Sequence, residues 1–230
     1  MIVRKLQQVR DRITTACVAA GRNPAGVRLL AVSKTFPAEA VMDAAADGQR
    51  AFGENYITEG VEKILALRKL QLMPLEWHCI GPVQSNKTRL VAEHFDWVQS
   101  VDRLKIAQRL SEQRPPELPP LQVCLQVNID GSANKSGVAP QDLLALALEV
   151  SKLPRLRLRG LMSIPEPATD FVAACALHQR VRDIFEQINA SGGLPEPMDT
   201  LSMGMTADLE AAIHAGSTMV RVGTAIFGQR

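Results

Sequence analysis

The sequence is poor in several features that would assign it to a specialised class of protein. Its 230 residues include four cysteines, one tyrosine and two tryptophans. The cysteines are far apart and form no C-x-x-C pair, which argues against a metal site or a redox pair and favours buried, reduced thiols. Basic and acidic residues nearly balance, at 26 and 24. The net charge therefore gives no case for binding nucleic acid or a membrane.

Long apolar runs, low-complexity segments and repeats of fixed period are also missing. No apolar run reaches the ~18 residues that span a bilayer. The N-terminal stretch does not resemble a signal peptide, because its apolar residues recur at three- and four-residue steps from Val3 to Cys17. This spacing predicts an amphipathic helix over residues 1–20. We therefore expect a cytoplasmic protein, with no targeting segment at this end.

A regular alternation of strand-like and helix-like segments runs along the chain. The predicted strands are Leu29–Ser33, Ala51–Gly53, Trp77–Gly81, Trp97–Ser100, Leu121–Ile129, Leu156–Met162, Thr200–Met203 and Met219–Val222. Helix-like segments separate them, so the pattern favours one α/β domain over residues 1–230, a (β/α)8 TIM barrel with an extra N-terminal helix. An open doubly wound sheet is the alternative. The four prolines within residues 114–120 leave a domain boundary possible there.

Lys34 directly follows the first predicted strand, at the end of a barrel where functional side chains gather. No acidic residue lies closer in the sequence than Glu39. Partial burial of a lysine disfavours its ammonium form, and the neutral amine condenses with an aldehyde to give an imine. A surface lysine at a strand end accounts for the spacing equally well.

Two small polar loops follow the last two predicted strands, where barrels often bind phosphate. Ser202, Gly204 and Thr206 form the first loop, which leads into a predicted helix, and Gly223 and Thr224 form the second. Glycine allows the backbone to approach an anion, and successive amide groups can hold it. Together the two loops indicate a phosphate site, although each alone is an ordinary glycine turn.

Three further side chains have alternative interpretations. Arg221 precedes the second loop within its strand, where its charge needs a phosphate, a ring nitrogen or a salt bridge to Glu54 or Asp208. His78 has no metal-ligand partner at suitable spacing and is predicted to be a hydrogen-bonded core histidine. Lys135 lies in a polar loop that is either a surface loop or a gate over the site.

Several long stretches closely resemble the pyridoxal phosphate homeostasis proteins. They are AVSKTFP, FGENY, EWHCIGPVQSNK, NKSG, GLMSIPEP, LSMGMTADLEAAI and GSTMVRVGTAIFG, and they span residues 29–228. The resemblance implies the fold of the alanine racemase N-terminal barrel, called fold type III among proteins that use pyridoxal 5'-phosphate (PLP). It also implies that PLP forms a Schiff base with Lys34.

The same resemblance implies a role for each matching residue. The loop from Ser202 to Thr206, with Gly223 and Thr224, would contact the phosphate, and Arg221 would face the pyridine nitrogen. Thr206 stands where many members have serine, which also offers a hydroxyl group. The matching residues that would line the pocket are Asn55, His78, Met203 and Lys135.

The site residues bear on whether the protein catalyses a reaction. Arginine at the pyridine nitrogen cannot supply the proton that makes the ring a strong electron sink. Racemisation also needs a second acid or base, which related racemases take from an additional domain for which we expect no room here. We therefore predict a monomeric PLP carrier that supplies apo-enzymes, with little turnover. The alternatives are a PLP-dependent amino-acid racemase and a Schiff-base aldolase acting on a sugar phosphate.

Overall fold

Eight parallel strands form a closed barrel in the order β1 to β8, with helices between them. The computed structural model describes residues 1–70, 74–131 and 136–229. β1 pairs with both β2 and β8, and the second pairing closes the sheet. The predicted TIM barrel is therefore confirmed, and the open doubly wound sheet is wrong.

The elements lie close to their predicted positions. The strands are β1 Arg28–Val32, β2 Ala51–Glu54, β3 Glu76–Cys79, β4 Trp97–Val101, β5 Leu121–Val127, β6 Leu156–Ser163, β7 Thr200–Ser202 and β8 Met219–Val222. The α-helices of the described ranges are α1 Ile2–Ala19, α2 Ala38–Ala46, α3 Ile57–Lys69, α4 Thr88–His94, α5 Leu104–Gln113, α6 Leu143–Ser151, α7 Phe171–Ala190, α8 Leu209–His214 and α9 Thr224–Phe227.

The strands are apolar on both faces because helices cover the outside of the barrel and side chains fill the inside. Leu30, Val32, Ile80 and Met219 form one cluster of buried apolar residues. All five residues of β4 are buried, including Gln99. A carboxamide at a fully buried strand position requires hydrogen-bond partners inside the barrel.

The predicted N-terminal helix is present as α1 and packs against other helices of the barrel. α1 contacts α2, α8 and α9, and its buried apolar residues include Leu6, Val9 and Ile13. The Arg12 guanidinium pairs with Glu210 of α8 at 2.8 Å. Within the described ranges, none of the helices has both the length and the apolar character needed to cross a bilayer.

Candidate functional site

A cavity of about 570 Å³ opens at the carboxyl ends of the strands. Its volume is within the usual range for small-molecule sites. β1 and β8 are neighbours, with Leu30 opposite Arg221 and Ala31 opposite Val222. The segments that follow these two strands therefore emerge side by side. The described lining residues are Val32, Lys34, Phe36, Asn55, Ile80, Ile164, Met205, Thr206, Ala207, Arg221, Gly223, Thr224, Gly228 and Gln229.

Lys34 lies in a tight turn after β1 and lines the cavity with a partly buried side chain. The next residue, Thr35, has a φ of 65°, which is strained for a β-branched residue. Its backbone N–H donates to Glu59 Oε1 at 2.5 Å. The ring of Phe36 packs against Phe227 of α9, with 5.2 Å between centroids. Contacts of the two residues that follow Lys34 thus hold the turn that presents it.

A buried ion pair supports this turn from below. Lys63 Nζ donates to Glu54 Oε1 at 2.6 Å and to the carbonyl oxygen of Ser33 at 2.9 Å. The Ser33 hydroxyl donates to the same Glu54 oxygen at 2.6 Å. Burial raises the pKa of Glu54, and the charge and hydrogen bond of Lys63 oppose that rise. The pair therefore ties the residue before Lys34 to β2 and α3.

Arg221 is buried in the cavity wall, with 4% of its surface exposed. Its Nη1 donates to the carbonyl oxygen and the hydroxyl of Ser202, at 2.6 and 2.8 Å, and its Nη2 donates to the carbonyl oxygen of Ser163 at 2.7 Å. Burial lowers its pKa to about 10, so the guanidinium keeps its charge at neutral pH.

The salt bridges considered for Arg221 do not form. Within the described residues it pairs with no carboxylate, because Glu54 is bound to Lys63 and Asp208 is bound to His178 at 2.9 Å. The guanidinium is instead held by neutral oxygens on one side, and the cavity lies on the other.

Two loops at the cavity offer backbone N–H groups to an anion. In the described part of the chain, the N–H groups of Thr206, Gly223 and Thr224 have no hydrogen-bond partner. The predicted helix that follows the first loop begins at Leu209. Asp208, the residue before this helix, accepts a hydrogen bond from the Met205 N–H at 2.7 Å and so closes the loop on itself.

Gly204 determines the path of the first loop. Its φ is +89°, and a Cβ at this position would collide with the Cβ of Ala212. We expect Gly204→Ala to lower the free energy of unfolding by about 1–3 kcal/mol, measured by urea denaturation. Gly21→Ala is the matched control, since Gly21 has a φ of +65° with no atom within 4 Å of the added Cβ. Equal losses in the two variants would contradict a collision at Gly204.

The structure brings most of the predicted site residues together. Those that line the cavity are Lys34, Asn55, Thr206, Arg221, Gly223 and Thr224. Gly81 leaves room for the Asn55 backbone, because a Cβ on residue 81 would collide with the Asn55 carbonyl group. Lys135 lies outside the described residues.

Three predicted pocket residues do not line the cavity. His78 is fully buried on β3, two residues before Ile80, which follows the strand and lines the cavity. Ser202 is also fully buried, behind Arg221. Met203 packs into the outer apolar core, since alternate residues face opposite sides of the sheet. The interpretation of His78 as a hydrogen-bonded core histidine is confirmed: its Nε2 lies 2.7 Å from Glu76 Oε1.

Sequence reasoning missed the residues that support the site. Lys63 shares the buried face of α3 with Gly60 and Leu67. A lysine at a helix position that otherwise faces the core indicates a buried partner, so this signal was available. The apolar wall residues Val32 and Ile80 gave no such signal, because they look like any other core position.

Comparisons with known proteins agree over the full chain. A family model described as the alanine racemase N-terminal domain matches residues 5–230. A relative from Pseudomonas aeruginosa named pyridoxal phosphate homeostasis protein is 59% identical over 229 residues, covering 100% of this chain and 96% of the relative.

Solved structures give the same result. PipY of Synechococcus elongatus, solved with PLP bound, is 36% identical with a TM-score of 0.85, over 99% of this chain and 100% of PipY. An alanine racemase from Clostridium difficile is 13% identical with a TM-score of 0.71, over 96% of this chain and 56% of the racemase, and shares the fold. This chain therefore belongs to the pyridoxal phosphate homeostasis proteins, a family built on the alanine racemase N-terminal barrel.

Proposed function

We propose that this protein binds PLP reversibly as a Schiff base on Lys34 and supplies it to apo-enzymes. The observation that carries the proposal is that one cavity contains a lysine side chain and a set of unpartnered backbone N–H groups. An aldehyde that bears a phosphate group needs this combination. The relative PipY, solved with PLP bound, supports the same ligand.

Each part of the cavity suits one part of such a ligand. The N–H groups of Thr206, Gly223 and Thr224 would hold the phosphate oxygens. The Lys34 amine would condense with the aldehyde, releasing water. Arg221 would place its positively charged guanidinium beside the ring nitrogen. The bound group would supply an electron-withdrawing ring, and Arg221 limits that property because it gives the ring no proton.

The same cavity favours binding over turnover. Of the described lining residues, only Lys34 and Arg221 are ionisable. Racemisation needs a second acid or base opposite the lysine, and Tyr56, the only tyrosine, is 54% exposed and is not among the lining residues. We infer that any amino-acid racemase activity is weak. Exchange of an amino acid's Cα proton in heavy water at enzyme-like rates would contradict this inference.

That the proposed carrier acts as a monomer stays a prediction from the sequence. Supply to recipient enzymes requires that the bond to Lys34 be reversible, and an imine meets that requirement because water can hydrolyse it. A cytoplasmic location stays a prediction from the sequence.

Borohydride reduction tests both parts of this proposal. Reduction converts the imine to a stable amine, and peptide mass mapping is expected to find the PLP-derived adduct on Lys34. The unreduced protein should activate an apo-form of a PLP-dependent enzyme, whereas the reduced protein should not. An adduct on another lysine would refute the assigned attachment site. Equal activation by the reduced and unreduced proteins would refute supply from the imine.

A further inference from the structure

A chain of hydrogen bonds leads from Arg221 at the cavity into the barrel. Arg221 Nη1 donates to Ser202 Oγ at 2.8 Å, and the Ser202 hydroxyl donates to Gln99 Oε1 at 2.6 Å. The Nε2 atom of Gln99 lies 2.9 Å from His78 Nδ1. These four residues are at least 96% buried, so water does not compete for the bonds.

The chain continues to the opposite end of the barrel. His78 Nε2 lies 2.7 Å from Glu76 Oε1, and Arg28 donates to the same oxygen at 2.7 Å. The His78 ring stacks on Trp97 at 5.1 Å, which fixes its plane. A polar path thus joins the cavity wall to the amino-terminal end of the strands.

Both ends of the path determine the direction of its hydrogen bonds. Arg221 can only donate, so Ser202 Oγ accepts from it and uses its single proton for Gln99. Burial opposes a charge on Glu76, but the hydrogen bonds from His78 and Arg28 and the charge of Arg28 outweigh it and lower the Glu76 pKa. Glu76 is therefore an acceptor, and it requires a proton on His78 Nε2.

Gln99 must meet two requirements, because it has to accept a hydrogen bond from Ser202 and donate one to His78. Burial lowers the pKa of His78, so the ring is neutral and its Nδ1 accepts when Nε2 carries the proton. The carboxamide satisfies both neighbours with Nε2 towards His78 and Oε1 towards Ser202. In the reversed orientation the amide would donate to Ser202, whose only proton would then lack this acceptor.

We propose that Gln99 is a positioning residue for Arg221. Its carboxamide, oriented by His78 and Glu76, keeps Ser202 Oγ as an acceptor and so holds the guanidinium in the cavity wall. The hydrogen-bond pattern is independent of the proposed function. Its consequence for PLP rests on that function.

Imidazole NMR of the protein without PLP tests the pattern, using nitrogen-15 shifts of His78. The wild type is expected to show a neutral ring protonated at Nε2. In Gln99→Glu, which has nearly the same shape, carboxylates would face both ring nitrogens, and His78 should become an imidazolium. Gln49→Met is the control, because Gln49 is a buried carboxamide bonded to backbone oxygens outside this path. A wild-type His78 protonated at Nδ1, or no change in Gln99→Glu, would overturn the proposal.

A double-mutant cycle tests the link to Arg221. Gln99→Met is expected to weaken PLP binding by about three- to tenfold, roughly the effect of one ordinary hydrogen bond. In an Arg221→Lys background the same change should weaken it by less than about twofold. Equal weakening in both backgrounds would overturn the proposal, since it would mean that Gln99 acts by general packing. Absence of an imine band in the wild type would refute the proposed function, while the NMR result would stand separately.

Discussion

Replacing Lys34 with alanine is expected to remove the imine absorption band completely and to weaken PLP binding by about tenfold or more. An imine needs a primary amine, and Lys34 is the lysine that lines the described part of the cavity. The N–H groups of Thr206, Gly223 and Thr224 should still bind the phosphate, so weak affinity is expected to persist. Absorbance titration measures the band, and equilibrium dialysis measures the affinity.

Lys87→Ala is the matched control for this experiment. Lys87 follows β3 at the same end of the barrel, and its Nζ lies 3.2 Å from Thr58 Oγ1. Because Lys87 does not line the described cavity, its replacement should leave the band and the affinity unchanged. An imine band that survives in Lys34→Ala would show that another amine carries the aldehyde.

The barrel could be predicted because each strand differs from its flanking helices in both length and pattern. Short apolar runs such as residues 29–32 are too brief for helices, and Pro37 precedes α2 by one residue. The start of α8 could not be predicted. It depends on the Asp208 carboxylate, which bonds the Met205 N–H in a loop whose conformation Gly204 sets.

The proximity of site residues could be predicted where it follows from their backbone positions alone. Lys34 and Gly223 follow strands that are adjacent only because the barrel closes, so predicting closure predicted their proximity. The depth of a side chain within the barrel was not predictable. His78 and Ile80 face the same way on neighbouring inward positions, and only the packed structure shows that Ile80 reaches the cavity.

The ion pair beneath Lys34 gives the second large prediction. Replacing Lys63 with methionine is expected to lower the free energy of unfolding by about 3–5 kcal/mol at neutral pH. The change leaves the fully buried Glu54 carboxylate without its cation and removes the bond to the Ser33 carbonyl. Urea denaturation measures the loss. Lys69→Met, at an exposed position of the same helix, should cost little.

The loss should depend on pH in a definite direction. Burial already raises the pKa of Glu54 in the folded wild type, and Lys63 opposes that rise. A carboxyl whose pKa is higher in the folded state stabilises that state below its unfolded pKa, and this contribution disappears as pH rises through the folded pKa. Without Lys63 the folded pKa rises further, so the deficit of Lys63→Met should grow as pH rises from about 4.3, the pKa of an unfolded glutamate, towards neutral pH.

A second substitution separates the buried charge from lost packing. Glu54→Gln in the Lys63→Met background removes the charge and keeps an oxygen that can accept from the Ser33 hydroxyl, which now donates to Glu54 at 2.6 Å. We expect this double variant to recover at least about half of the lost stability and to lose most of the pH dependence. A loss of stability in Lys63→Met that is constant with pH and unchanged by Glu54→Gln would contradict this prediction. It would show that Lys63 stabilises the turn through packing, and that the unpaired charge of Glu54 is not the cause of the loss.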